Sequence, residues 1–379
     1  MQIINLKQAR DLGLTDLFVH GVNGFGDTIM LGGVARAKVI ETGKPVFLAV
    51  RPSNVGFLYG VDDGLPAPIY VLRGFYAQYL NRKSAKVMMR FGIKPHLVKM
   101  DGGWDGRSHL SYVAALAKNM GIKSATADVT PHIGIKPELK DFGRFITDRP
   151  QVAIMTGGFP GKELPTEKYQ QIVDAMKDKV GFVHICAPGD PELSGVLDMR
   201  GKLSFFEQVP AAFAASDAFV CSEGGLMHIC RAVGTRAVVA DALPHPMTAY
   251  NGHTHIFPPQ KLAKKVRGQF NGVMGTIPVD KMISALKEQL KLADVPIEPD
   301  IVDLTKYEMK ERKIKKEYLV YILANWIRCW VNISILKMIK NPKILEKLRV
   351  RDWPHGHYKA KANDLKRQMK LYVTNYKEI

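Results

Sequence analysis

A glycine-rich segment, SEGGLMHICRAVGT at residues 222–235, directly follows the apolar run AFVC at 218–221. This succession predicts a strand that turns into a helix. The first N–H groups of such a helix lack intrahelical partners and carry the positive end of the helix dipole, so they can bind a phosphate. Gly224 and Gly225 would let a diphosphate approach the backbone closely. A glycine turn whose apolar residues simply pack inward would have the same sequence, so both interpretations stand for this segment alone.

A second turn of this kind, GVNGFGDTIMLGG at residues 21–33, carries a carboxylate. Its glycines do not form a clean Gly-x-Gly-x-x-Gly, which is in any case a weak signal. Asp27 lies where a helix N-cap is expected, and capping alone would account for an aspartate there. Asp27 is equally a candidate general base, because it lies at the carboxyl end of a predicted strand, where ligands bind parallel sheets.

A third segment, TGGFPGKELP at residues 156–165, follows the apolar run QVAIM at 151–155. Its three glycines predict a flexible loop. Lys162 could reach a phosphate from this loop, and the Thr156 hydroxyl could donate to one. A lysine that is merely solvated is the alternative interpretation.

The first 300 residues alternate short apolar runs with segments of helical period, which is typical of a parallel sheet wrapped in helices. The pattern predicts strands at 17–22, 45–50 and 69–72, helices at 28–41, 74–91 and 107–120, and a Pro/Gly-rich connection at 130–150. It restarts with strands at 151–155, 182–187, 218–221 and 236–241, and helices at 166–179, 204–215 and from 225. We therefore predict an α/β protein of two doubly wound, Rossmann-like lobes facing a cleft, with boundaries at 1–148 and 149–300.

The remaining residues, 301–379, differ in composition and are predicted to form a basic helical extension. They hold 19 Lys and Arg against 8 Asp and Glu, in a chain whose net charge is +18. A uniformly basic protein would indicate nucleic-acid binding. A basic tail on a nearly neutral body instead predicts an added interaction surface, for which anionic lipid and nucleic acid are both candidates.

Within this tail, residues 318–336 are long enough to cross a bilayer, but Arg328 lies in their middle. Asn325 and Asn332 share its helical face, so the segment is amphipathic, and lysines flank it on both sides. Residues 306–349 are therefore predicted to attach peripherally to an anionic membrane surface. Packing across the two lobes, or between subunits of a homo-oligomer, is the alternative.

The four cysteines stand far apart, without a Cys-x-x-Cys pair and without histidines at ligand spacing. This spacing favours reduced thiols in a cytoplasm over a zinc site or a disulfide framework. The first residues, MQIINLKQARDLGL, lack the basic and then apolar layout of a signal peptide. A cytoplasmic location is the resulting expectation.

Taken together, the three glycine-rich segments resemble the bacterial heptosyltransferases that use an ADP-activated heptose, which are glycosyltransferases of family 9 with a two-lobed GT-B fold. The family's Gly-Asp after the first strand is matched by residues 26–27. Its Lys-x-Trp-Pro element is matched by residues 162–165, with Leu for Trp. Its Asp-Thr-Gly-x-Met/Ser-His segment is matched by residues 223–228, with Glu223 for Asp and Gly224 for Thr. The resemblance covers about residues 17–255.

The resemblance implies an inverting, metal-independent transfer of a sugar to a hydroxyl acceptor in bacterial surface glycan synthesis. The donor would be a nucleoside-diphosphate sugar, ADP-linked in the family, with no further cofactor. Asp27 would be the catalytic base. Lys162 and the N–H groups of Gly224 and Gly225 would stabilise the leaving diphosphate, with Thr156 as a further donor. Glu223 would orient sugar hydroxyls, and the two departures in its segment leave the sugar's identity open.

Two rival functions remain at this point. A nucleotide-sugar epimerase shares the two-lobed fold but needs no acceptor, whereas the implied acceptor of a transferase is a glycan, a lipid-linked glycan or a protein. A nucleic-acid-binding protein is suggested by charge alone, although the tail's basic residues flank an apolar helix and do not alternate with stacking aromatics. The chain contains no Asp-x-Asp, which argues against a metal-dependent, single-lobed transferase.

Overall fold

The structure is a computed structural model, and it describes residues 1–21, 24–80, 82–98, 111–158, 162–242, 249–259 and 273–305. Two all-parallel sheets form its framework, and a short antiparallel pair accompanies them. The chain is therefore an α/β protein, as the alternation of apolar runs and helical segments predicts.

The N-terminal sheet has five parallel strands in the order β1-β4-β3-β2-β5. The strands are β1 (Gln2–Ile4), β2 (Asp16–His20), β3 (Val46–Ala49), β4 (Ile69–Leu72) and β5 (Lys94–Val98). The helices of this part are α1 (Leu6–Asp11), α2 (Phe25–Thr42), α3 (Arg82–Arg90) and α4 (Ser111–Asn119). Short 3₁₀ turns at Pro52–Leu58 and Ala77–Tyr79 complete it.

The C-terminal sheet has six parallel strands in the order β12-β11-β10-β7-β8-β9. The strands are β7 (Gln151–Ile154), β8 (Gly181–His184), β9 (Leu197–Asp198), β10 (Ala218–Ser222), β11 (Ala237–Ala240) and β12 (His253–Ile256). The helices are α5 (Thr166–Met176), α6 (Gln208–Ala214), α7 (Gly225–Ala232) and α8 (Val279–Lys291). Numbered from its own first strand, this is the 3-2-1-4-5-6 order of dinucleotide-binding sheets.

Apolar side chains on the central strands explain why these sheets are buried on both faces. All four residues of β3, β4, β7, β8 and β11 are buried, as is typical of strands covered by helices on each side. The largest apolar cluster includes residues from α2, α4 and the N-terminal sheet together with residues from α7 and the C-terminal sheet. The packing is thus continuous from one sheet to the other.

The predicted central strands and the helices α2, α5, α6 and α7 agree with the structure to within a few residues. The segment predicted as one helix at 74–91 is instead a 3₁₀ turn followed by α3. The sequence pattern does not predict β5 or β12, because KPHLV and HTHI are too polar to read as buried strands. Both are edge strands, where a proline and polar side chains are tolerated.

Residues 130–150, predicted as a connection, contain only the 3₁₀ turn Pro137–Leu139. The segment predicted as a helical extension opens with β13 (Ile301–Asp303), which pairs antiparallel with β6 (Thr126–Asp128). The chain thus returns from the C-terminal sheet to the N-terminal part of the structure. The rest of that segment, 306–379, lies outside the described residues, and so does the amphipathic helix predicted within it.

Candidate active site

In both sheets, the predicted site residues follow strands at which the strand order reverses. In the N-terminal sheet, β3 and β4 lie on one side of β2, and β5 lies on its other side. In the C-terminal sheet, β8 and β9 lie on one side of β7, and β10 lies on its other side. The loops after such strands form the crevice in which α/β proteins bind ligands. Asp27 follows β2, Thr156 and Lys162 follow β7, and the Glu223-Gly224-Gly225 run follows β10.

Asp27 occupies the third position of α2, and the N-cap is Gly24. The expectation that Asp27 itself caps the helix is therefore wrong by three residues. Its Oδ2 accepts a hydrogen bond from the Gly24 N–H at 3.0 Å, which satisfies one of the free donors at this helix end. Asn54 secures the same turn by donating to the Gly24 carbonyl at 3.2 Å and to the Thr28 hydroxyl at 3.1 Å.

Two reciprocal contacts bring the N-termini of α2 and α7 together. Gly26 lies against the His228 ring, and Gly225 lies against the Phe25 ring, so closely that a Cβ on either glycine would overlap the ring. Phe205 adds an edge-on contact to Phe25, with ring centroids 5.2 Å apart. Because each of these helices begins at the carboxyl edge of its sheet, the contacts place Asp27 within electrostatic range of Glu223.

The Asp27 carboxyl is half-buried, and this burial raises its pKa to about 6. The negative charge of Glu223 acts in the same direction, whereas the hydrogen bond from Gly24 opposes it. A carboxylate of this pKa is a stronger base than an ordinary aspartate and is still mostly ionised at neutral pH. No hydrogen bond to Asp27 Oδ1 occurs within the described part of the chain, so this oxygen can accept a proton from a bound hydroxyl.

Glu223 and Lys162 form an ion pair across the ends of β7 and β10. Lys162 Nζ lies 2.5 Å from Glu223 Oε2, and both side chains are less than a fifth exposed. Burial raises the pKa of Glu223, as does the charge of Asp241, while Lys162 and His255 lower it. The structure therefore brings together three of the predicted site residues, Asp27, Lys162 and Glu223.

The two glycines after Glu223 differ in what surrounds them. Gly224 is the N-cap of α7, and its backbone is extended. Among the described residues, a Cβ there would meet only the Ser222 carbonyl, at 3.9 Å, so the space beside it is open to them. At position 225 a Cβ would overlap the Phe25 ring, so packing requires a glycine there. Close approach of a diphosphate to the backbone thus remains a prediction for Gly224, whereas packing already explains Gly225.

Thr156 is buried at the end of β7, and its hydroxyl has partners within the protein. It donates to the Pro191 carbonyl at 2.7 Å and lies 3.0 Å from His184 Nε2. Burial lowers the pKa of His184 to about 4, so this imidazole is neutral. In this structure Thr156 holds the loop after β8, and its predicted donation to phosphate would require that bond to be exchanged.

His228 is buried within α7. Its Nδ1 lies 2.7 Å from the Tyr250 hydroxyl, and burial lowers the pKa of the ring to about 3. His228 is thus a neutral packing residue that supports Gly26.

Sequence reasoning misses three residues around the site, Asn54, Asp241 and His255. Asp241 directly follows β11, so the rule that strand ends carry site residues could have found it. Asn54 lies in a 3₁₀ turn and His255 in an edge strand, and no local pattern marks either position.

None of the helices in the described ranges is both long and apolar enough to cross a bilayer.

No sequence-family profile matches this chain, and no curated protein matches it either. Solved structures do. A family 9 glycosyltransferase from Veillonella parvula DSM 2008 matches with a TM-score of 0.55 and 13% identity, over 73% of this chain and 97% of that one. The ADP-heptose lipopolysaccharide heptosyltransferase II of E. coli matches with a TM-score of 0.51 and 13% identity, over 74% and 100%. The resemblance to this family is thereby confirmed at the level of the fold.

Proposed function

We propose that this chain is an inverting glycosyltransferase that transfers a sugar from a nucleoside-diphosphate donor to a hydroxyl acceptor. The observation that carries the proposal is the proximity of Asp27, whose pKa is about 6, to the Lys162–Glu223 pair at the edges of two parallel sheets. A base on one side of a cleft and a cation on the other are what such a displacement needs.

In the proposed reaction, the acceptor hydroxyl lies against Asp27 Oδ1. Its oxygen attacks the anomeric carbon as its proton passes to the carboxylate, and the bond from that carbon to the diphosphate oxygen breaks with inversion. Charge then develops on the leaving diphosphate. Lys162 and the N–H groups at Gly224 and Gly225 stabilise it without a metal ion.

Heptose from an ADP-linked donor is the proposed substrate. The fold shared with an ADP-heptose heptosyltransferase supports this choice. Glu223 is proposed to accept hydrogen bonds from the donor sugar and Thr156 to donate to its phosphate. The proposed acceptor is a glycan, lipid-linked glycan or protein of the bacterial surface, as in lipopolysaccharide synthesis.

The proposed location is the cytoplasm, with peripheral attachment to the inner face of the membrane through residues 306–349. The basic and apolar composition of this segment supports the proposal. Co-sedimentation with anionic vesicles at low and high salt, with and without residues 306–379, tests it. Equal pelleting of both chains would refute it.

A thermal-shift panel of ADP, UDP, GDP and CMP tests the donor assignment, because a ligand that binds only the native state raises the melting temperature in proportion to its affinity. Nucleotide release from the selected nucleotide sugar is then measured with and without candidate acceptors. Release that depends on an acceptor supports a transferase. A changed sugar with no release would indicate the epimerase instead, and binding of none of the four nucleotides would refute the proposed function.

A further inference from the structure

Two side chains that the proposed reaction does not use, Asp241 and His255, lie beside Glu223. Asp241 follows β11, and His255 lies in β12, the next strand outward. Main-chain hydrogen bonds fix the arrangement. The Glu223 N–H donates to the Ala240 carbonyl at 2.9 Å, and the Asp241 N–H donates to the Ile256 carbonyl at 3.0 Å. The three side chains thus start from three adjacent strands at one edge of the sheet.

Asp241 and His255 are paired with each other in the interior. His255 Nδ1 lies 3.1 Å from Asp241 Oδ2, and both side chains are less than a tenth exposed. A carboxylate in such a position is stable only when a partner satisfies it. Because Asp241 accepts, the Nδ1 of His255 carries the proton, which fixes both the tautomer and the ring's orientation. The other ring nitrogen, Nε2, is buried without a hydrogen-bond partner among the described residues.

The pair acts on Glu223 through charge. Asp241 raises the pKa of the Glu223 carboxyl, and His255 lowers it, as Lys162 does from the other side. Asp27 adds a further negative charge from α2. The pKa of Glu223 is therefore set by burial and by carboxylates, which oppose its ionisation, and by Lys162 and His255, which favour it.

Three other titratable groups nearby are neutral and do not enter this balance. Burial raises the pKa of the Cys221 thiol well above its usual range. Burial lowers the pKa of His228 to about 3, and it lowers the pKa of His253, whose ring centroid lies 6.5 Å from that of His255, well below its usual range. When a donor diphosphate engages Lys162, that cation is shared with the ligand. The contact between His255 Nδ1 and Asp241 Oδ2 then remains in place beside Glu223.

We propose that Asp241 and His255 are a positioning pair for the donor sugar: Asp241 orients the imidazole, and the charge of the pair, held on the two strands beyond Glu223, sets how well Glu223 accepts hydrogen bonds from sugar hydroxyls. The inference rests on the proposed function, since it concerns Glu223 as a contact of the donor sugar. It adds two residues to the site that the segments resembling the heptosyltransferases do not contain.

Calorimetric titration of the full chain with ADP-heptose and with ADP, across the pH range in which carboxylates and histidine titrate, tests this pair. In His255→Asn the amide can still donate to Asp241 but carries no charge. As pH is lowered, the affinity of this variant for ADP-heptose should begin to fall about one pH unit higher than that of the wild type, because the like charge of Asp241 then acts on Glu223 without opposition from residue 255. In Asp241→Asn the affinity should begin to fall at a lower pH than in the wild type. The double variant should resemble the wild type. ADP lacks the sugar, so its affinity should change little.

A His255→Asn profile identical to that of the wild type, or equal shifts for ADP and ADP-heptose, would overturn the inference while leaving the proposed function intact. If the wild type binds no nucleotide sugar, the proposed function fails, and thermal unfolding as a function of pH still tests the pair. His255→Asn should then lose stability as pH rises, and Asp241→Asn as pH falls. The stability of the double variant should depend on pH less than that of either single variant. If the two single effects simply add in the double variant, the pairing is rejected.

Discussion

Lys162 Nζ lies 2.5 Å from Glu223 Oε2. Lys162 is proposed to bind the donor's diphosphate, whereas Glu223 is proposed to bind its sugar. The ends of β7 and β10 are adjacent in the sheet, so the loop that carries Lys162 reaches the residue after β10. An incoming diphosphate would compete with Glu223 for this lysine. The pair would therefore link the two halves of the proposed donor site.

Lys162→Ala should weaken ADP binding by roughly 10- to 150-fold, because a charge-assisted hydrogen bond contributes about 1.5–3 kcal/mol. Isothermal calorimetry measures the change. The matched control is Lys291→Ala, which removes an exposed Lys–Glu pair on α8 and should leave ADP affinity unaltered. Wild-type affinity in Lys162→Ala would remove this residue from the diphosphate site.

Sugar transfer should continue in an excess of chelator, because Lys162 and the α7 N–H groups are proposed to supply the positive charge at the leaving group. Turnover is measured after extensive chelation and again after adding back Mg²⁺ or Mn²⁺. Loss of activity that either ion restores would contradict the metal-independent assignment.

Asp27→Asn should lower kcat by roughly 10²- to 10⁴-fold, because it removes the proton acceptor. The melting temperature should not fall, since the amide oxygen can still accept from the Gly24 N–H. Asp280→Asn is the control, as Asp280 lies exposed in the first turn of α8 and has the same relation to its helix dipole. Near-normal turnover in Asp27→Asn would reduce Asp27 to a residue that secures the helix end.

The pKa of Asp27, about 6, predicts two pH effects of defined sign. kcat/KM should fall as pH drops below about 6, because the base becomes protonated. Stability should change in the other direction: between the ordinary aspartate pKa of about 4 and the raised value, the native state holds a proton that the unfolded state has released, so the free energy of unfolding decreases as pH rises. The free energy of unfolding is measured by chemical denaturation at several pH values, and Asp27→Asn should lack this part of the pH dependence. If the wild type and Asp27→Asn depend on pH in the same way, the carboxyl titrates normally.

Gly225→Ala and Gly224→Ala should separate packing from ligand approach. A methyl group at 225 overlaps the Phe25 ring, so this variant should lose about 1–3 kcal/mol of stability. At 224 the space is open, so Gly224→Ala should keep its melting temperature and lose ADP affinity if the diphosphate passes there. Combining Gly225→Ala with Phe25→Leu should restore part of the stability. A stable Gly225→Ala variant would mean that the two helices are farther apart than described.

The central strands and the glycine-rich turns after them follow from the sequence, because buried parallel strands are short continuous apolar runs and each is followed by residues that permit a tight turn. The edge strands β5 and β12 could not be predicted in this way. One side of an edge strand faces solvent, so Pro95 and the histidines of β12 are compatible with it and the apolar signal is lost.

The sequence by itself determined that Asp27, Lys162 and Glu223 each lie in the segment that follows a strand, because strand ends are encoded in the few residues around them. Only the tertiary structure decided which of these side chains lie close together and how burial shifts the pKa values of the two carboxyls. Asp27 and Glu223 are brought into range by the contact of α2 with α7, between residues about 200 positions apart in the chain. The raised pKa of Asp27, the requirement for Gly225 and the pairing of Asp241 with His255 all arise from burial against distant segments. Burial depends on the assembled packing of the whole chain, so no local pattern can specify it.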